Sequence, residues 1–188
     1  MSSKKVKTRS ALLQAALELF AERGFNGSPT ALIAKRAGVA SGTLFFHFKN
    51  KEELIYELIG EVRAKINKQV SEAIPVQAPI KERFLRAFSK LLRYFLENPN
   101  EFKLVEQYHF SSLSDREYRD TEGKEVLIDL LIEARDRKFI RDVPLLLIEA
   151  LAFGPIASLA KEHAKCGTPI DDELVGMTVE ACWNALKR

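Results

Sequence analysis

Apolar residues recur at three- and four-residue spacing from near the N-terminus to the last turn, the period of helices buried on one face. Leu12, Ala16, Leu19 and Phe20 predict a first helix over about Thr8 to Arg23, with Thr8 as its N-cap and Gly24 as its stop. Ser28 as N-cap and Pro29 in the first turn predict a second helix, with Leu32, Ile33 and Ala37 as its apolar stripe. Gly38 ends it, because glycine reaches left-handed backbone angles without steric cost. A third helix follows from about Ala40 to Phe48, with Leu44 and Phe48 facing inward. Helix, glycine-containing turn and helix make up a helix-turn-helix, whose second helix enters the DNA major groove.

The pattern continues. Asn50, with Glu53 three residues on, has the spacing of a capping box and opens a helix striped by Leu54, Leu58, Val62 and Ile66. From Asn50 to Glu72 it would be on the order of 34 Å long, enough to act as a lever. Pro75 and Pro79 end it. Phe84, Phe88, Leu91 and Phe95 predict the next helix over 79–97, and Asn98-Pro99 separates it from a short one carrying Phe102, Leu104, Val105, Tyr108 and His109. Another is expected from Glu117 to Arg137, divided or begun at Gly123. After Pro144, the run from Leu145 to Ala160 is apolar nearly all round, with Pro155 expected to kink it. Such a helix must be buried on both sides, one against its own core and the other against a partner chain. The last helix, about Asp171 to Leu186, turns Val175, Val179, Cys182 and Leu186 to one face. The fold class is all-α.

Composition narrows the function. A hydrophobic content of 46% over 188 residues supplies a full core. Net charge is only +3, but residues 1–55 hold nine Lys/Arg against four Asp/Glu, and the remainder holds twenty against twenty-two. The basic surplus lies with the helix-turn-helix, as phosphate neutralisation requires. Cys166 and Cys182 have no metal-ligand spacing, and no signal peptide or run of 18 apolar residues is present, so a cytoplasmic protein with no membrane association is expected. The histidines His47, His109 and His163 form no HExxH, and no GxSxG or glycine-rich phosphate loop occurs. No enzyme activity, cofactor or metal is expected.

Ala15-Ala16, Leu19-Phe20, Gly24-Phe25, Ile33-Ala34, Ala37-Gly38-Val39, Gly42-Thr43-Leu44, His47-Phe48 and Lys51 follow one another at a characteristic spacing. In these residues roughly the first 55 positions resemble the DNA-binding domain of TetR-family transcriptional repressors. The resemblance implies a helix-turn-helix domain over 1–55 and a helical effector-binding and dimerisation domain over 56–188. It implies a homodimer that binds a palindromic operator in double-stranded DNA and responds to a small-molecule effector. Three positions depart from the family pattern. Phe45 and Phe46 stand where Tyr or Trp is usual, Ala40 where a capping Ser is common, and Ser41 where a basic or other base-reading residue is frequent.

A reading helix of about seven residues, roughly 10 Å long, fits the major groove. Ser41 and Thr43 are suited to base edges or phosphates, and Gly42 to close backbone approach. Phe45 and Phe46 lie on the same surface, and Lys49 adds charge. The resemblance places His47 and Lys51 on backbone phosphates, while Thr30 can bond phosphate at the start of the second helix. Lys4, Lys5, Lys7 and Arg9 are candidates for a flexible arm on the backbone, and Lys35 and Arg36 either touch DNA or are surface charges. In the second domain Phe88, Phe102, Tyr108 and His109 are the candidate effector-pocket residues. The alternative reading is a ligand- or partner-binding helical module with weak or non-specific DNA affinity.

Overall fold

The computed structural model describes residues 3–75, 77–114 and 126–188 and is all-α. The helices are α1 (Ser3–Arg23), α2 (Thr30–Arg36), α3 (Ser41–Phe45), α4 (Lys51–Ala73), α5 (Ile80–Glu97), α6 (Pro99–His109), α7 (Val126–Asp136), α8 (Leu145–Cys166) and α9 (Asp172–Leu186). Among the described residues no helix is long and apolar enough to cross a membrane.

Two compact units share these helices. The first holds α1, α2, α3, α4 as far as Arg63, and α6 from Asn100. Its core holds the inward rows read from the sequence, Leu12, Ala16, Leu19 and Phe20 of α1, Leu44 and Phe48, and Leu54 and Leu58 of α4, all buried; on α2 the buried pair is Ile33 and Ala34, while Leu32 and Ala37 of the expected stripe are half-buried. Phe25 closes one end, its ring edge-on to Phe20 with centroids 5.0 Å apart.

The second unit holds the rest of α4 with α5, α7, α8 and α9. Its centre is aromatic. Phe84 stacks on Phe88 at 4.3 Å, and the rings of Trp183 and Phe153 lie 5.3 Å from Phe84 and 5.2 Å from Phe88 respectively. α8 turns Ile148, Ala152, Ile156 and Ala160 inward at four-residue spacing, and α9 turns Val175, Val179, Cys182 and Leu186. Burial pushes the Cys182 thiol up to about 11, which makes it a small apolar core group rather than a nucleophile. On α7, Glu133 is held below the ordinary carboxylate range by Arg137 and then Arg83, which grip the same carboxylate at 2.8 and 2.9 Å.

The Asn50 cap forms as the sequence predicts, and Asp171 caps α9 as well. Asn50 Oδ1 accepts from the Glu53 N–H at 2.8 Å, and Asp171 Oδ1 accepts from the Leu174 N–H at 2.8 Å. The start of α1 is a correction. It begins at Ser3, so Thr8 is an interior residue and the expected flexible arm is two further helical turns. Lysine is a good helix former, and the Arg9 guanidinium bonds Glu57 and Glu61 of α4, tying that end down. The helix expected from Glu117 to Arg137 is present as Val126–Asp136, while Glu117 and Gly123 lie outside the described residues. α8 contains Pro155 within its span.

α2 and α7 end alike, with a residue in the left-handed region: Gly38 (φ 71°) after α2 and Lys138 (φ 62°) after α7. In both, the following N–H bonds back to a carbonyl five residues earlier, Val39 to Ala34 at 3.0 Å and Phe139 to Ala134 at 2.9 Å, which is a Schellman closure. A side chain in that conformation costs about 1–2 kcal/mol. Lys138→Gly should therefore stabilise the chain by about 1 kcal/mol and Gly38→Ala destabilise it by about the same, read as opposite shifts of the urea midpoint at unchanged slope.

Candidate nucleic-acid interface

The Schellman closure at Gly38 turns the chain so that α3 starts two residues after Val39. Ala40 occupies the N-cap and offers no side-chain bond, as its sequence predicts. Leu44 and Phe48 anchor the element, both almost completely buried. With those two inward, Ser41, Gly42, Phe45 and Phe46 are exposed, while Thr43 and His47 are half-buried. Phe46 is 85% exposed and Phe45 55%. Thr30 is the first residue of α2 and is half-buried.

Two local expectations change. α3 is five residues, Ser41–Phe45, roughly 7.5 Å long rather than 10 Å, and residues 46–48 form a turn that delivers Phe48 to the core. Ser28 does not cap α2; Pro29 stands at the N-cap, and the Ser28 hydroxyl is buried, positioned to bond the carbonyls of Leu19 (3.0 Å) and Gly24 (2.8 Å). It fastens the α1–α2 turn to the end of α1. Gly27 in that turn admits no side chain, since a Cβ would lie 2.4 Å from the Arg23 carbonyl oxygen.

The cations divide into braces and exposed charges. Arg36 makes a two-pronged bond to Glu22, at 3.0 and 3.1 Å, and so joins α2 to α1. That contact lowers the Glu22 pKa and raises that of Arg36. Arg36 is thus a structural ion pair rather than an unengaged surface charge. Lys51 is half-buried and its ammonium bonds the Phe25 carbonyl, while burial lowers its pKa. An ammonium has three donors, so two remain. Lys5, Lys7, Lys35 and Lys49 are exposed. His47 shares a groove of about 330 Å³ with Lys5, Val6 and Arg9 of α1, a juxtaposition across some forty residues that helical periodicity could not signal.

Of the effector candidates, Phe88 lies in the aromatic centre of the second unit, and Phe102, Tyr108 and His109 lie on α6 in the first. Tyr108 is buried, edge-on to Tyr56, with the Arg63 guanidinium 5.3 Å from its ring centre. His109 is exposed beside Phe110. α6 contributes a residue that sequence reading missed. Gln107 Nε2 donates to the Phe20 carbonyl near the end of α1 at 2.9 Å, beside an open cleft of about 770 Å³ between the α1–α2 turn and the ends of α4 and α6. Its Oε1 is buried without a hydrogen-bond partner among the described residues.

Residues 12–58 match the family model for bacterial regulatory proteins of the tetR family, and residues 79–187 match the model for the tetracyclin repressor-like C-terminal domain. The chain belongs to the TetR family. A TetR family transcription regulator from Marinobacter aquaeolei superposes with a TM-score of 0.85 at 23% identity, over 100% of this chain and 99% of that one. The transcriptional regulator FadR from Bacillus subtilis, solved in complex with stearoyl-CoA, superposes with a TM-score of 0.74 at 25% identity, over 92% of this chain and 95% of that one. The fatty acid metabolism regulator protein of Bacillus subtilis is 38% identical over 79 residues, 42% of this chain and 41% of that protein. The matched stretch is therefore under half the length of that relative.

In this TetR-family chain the two lysines closest to the reading helix do different work. Lys49→Ala removes an exposed charge and should leave stability within about 0.5 kcal/mol. Lys51→Ala deletes the bond to the Phe25 carbonyl and should cost about 1–2 kcal/mol in urea unfolding.

Proposed function

We propose that the chain is a ligand-responsive transcriptional repressor that binds a palindromic operator as a homodimer in the cytoplasm and catalyses no reaction. The observation that carries the DNA assignment is the pairing of buried Leu44 and Phe48 with an outward Ser41–His47 surface flanked by exposed lysines. Residues 1–55 are assigned to DNA binding. Ser41, Gly42, Thr43, Phe45 and Phe46 face the groove, and Thr30, His47, Lys49 and Lys51 take backbone phosphates. The groove that His47 shares with Lys5 supports a phosphate contact there, because it places an exposed ammonium on the same rim as the ring, with Glu61 of that groove already bonded to Arg9.

Residues 56–188 are assigned to dimerisation and effector binding. The dimer is supported by an apolar surface on the side of α8 and α9 turned away from the core. Leu146 and Met177 are 79% and 62% exposed, with Leu147, Leu174, Ala150 and Ala181 also open to solvent. A twofold operator requires two reading heads, and a contact made by the same patch on both subunits supplies them. Phe88, Phe102, Tyr108 and His109 are the candidate effector residues; the aromatic centre around Phe88 favours a ligand with an apolar body. Stearoyl-CoA in the FadR structure makes a long-chain acyl thioester the first compound to test.

Effector binding would act by tilting α4, whose residues belong to both units. A 100-fold loss of operator affinity needs about 2.7 kcal/mol of differential effector binding between the two DNA-head spacings. Phe45 and Phe46, without ring hydroxyls for phosphate, favour the second reading of a module with weak or sequence-blind DNA affinity. Titration of the chain against DNA upstream of its own gene at several salt concentrations, with footprinting, separates the two. The repressor reading expects a palindromic footprint, binding of two chains and a steep salt dependence. Sequence-blind binding, or none, would overturn it in favour of the second.

A further inference from the structure

Between Ala40 and His47 the outward positions are Ala40, Ser41, Gly42, Thr43, Phe45, Phe46 and His47. None is Arg, Lys, Asn, Gln, Asp or Glu, the side chains that make the strong paired bonds to guanine and adenine or accept from cytosine in the major groove. What the surface offers is two hydroxyls, two phenyl rings and the His47 imidazole, which the reading above assigns to backbone phosphate. Phe46 stands at the C-cap of α3 and is 85% exposed, the most exposed of the large apolar side chains among the described residues. Phe45, at 55%, lies beside it, and Gly42 lies three and four residues back on the same helical face. A Cβ at Gly42 would meet nothing within 4 Å, so the surface is open at that position. Phenyl has one apolar partner on a base edge in the major groove, the C5-methyl of thymine.

Resting on the operator-binding reading above, we propose that Phe46, with Phe45 beside it, is the specificity-determining group of this chain and reads thymine methyl groups in the operator. The ring takes no hydrogen bond, so it selects by burying the methyl against itself and excluding water from both. Thymine is the base that rewards it: cytosine has no methyl, and guanine and adenine present polar edges there. The hydroxyls of Ser41 and Thr43 then bond whatever edges or phosphates the ring's register brings opposite them. An operator for this chain should have one or two thymines per half-site at which methyl removal alone weakens binding.

The test begins with selection of the tightest duplex from a random library using the full chain. Each thymine of the selected half-site is then replaced by deoxyuridine, which removes only the C5-methyl, and affinities are measured by fluorescence anisotropy at one salt concentration. Loss of one buried methyl contact should weaken binding about fourfold. Phe46→Ala should bind thymine and deoxyuridine duplexes equally, and Phe46→Leu should retain part of the difference. Exposure of the side chain leaves the fold of these variants intact, which near-unchanged thermal melting checks. Selection that succeeds but yields a site indifferent to deoxyuridine would overturn the methyl reading alone. So would a Phe46→Ala chain as methyl-sensitive as the parent. Selection that enriches no sequence would overturn operator binding itself, and this proposal with it.

Discussion

The DNA-facing surface depends on the burial of two side chains, Leu44 and Phe48, in a segment too short to be stable alone. A five-residue helix has one or two turns of backbone bonding and no side-chain cap, and nucleation of so short an element in water is unfavourable. It persists because Leu44 and Phe48 are seated in the core beside the buried rows of α1, α2 and α4, each worth about 1.5–3 kcal/mol of transferred apolar surface. Gly38 sets the angle at which the segment arrives. Once that angle and the two anchors are set, Ser41, Gly42, Phe45 and Phe46 have nowhere to go but outward.

Polar braces keep the surrounding helices in register. Arg9 ties α1 to α4, Arg36 ties α2 to α1, Lys51 holds the α1–α2 turn through the Phe25 carbonyl, and Gln107 reaches the Phe20 carbonyl from α6. The ion pairs are partly exposed, and water screening leaves each of them a small contribution to stability. Their larger consequence is electrostatic. Arg9 and Arg36, two of the nine cationic side chains counted in residues 1–55, are paired with carboxylates, so the charge left for phosphate comes mainly from lysines.

Much of this was legible in the sequence because it is local. The Gly38 corner, the Asn50–Glu53 cap and the inward rows of α1, α4, α5 and α9 all follow from spacings of three, four or seven residues. What was not legible has a common cause. Ser28 looks like a cap by its neighbours, yet its hydroxyl bonds a carbonyl nine residues away; α1 extends to Ser3 because Arg9 finds glutamates some fifty residues on; Gln107 meets Phe20 across eighty-seven. Periodicity reports which face of a helix is buried, not which distant carbonyl or carboxylate will be waiting there. Phe48 shares a helical face with Leu44, which predicts a longer α3; a turn at residues 46–48 delivers the same burial with fewer helical residues.

The central claim is that burial of Leu44 and Phe48 presents Ser41–His47 to DNA. Hydrogen exchange of the full chain, read by mass spectrometry with and without its upstream DNA, tests this most directly. DNA is expected to slow exchange in peptides covering residues 30 and 41–51, with the first turns of α1 next. Protection confined to other segments, with residues 41–51 exchanging as in the free protein while DNA is bound, would contradict it.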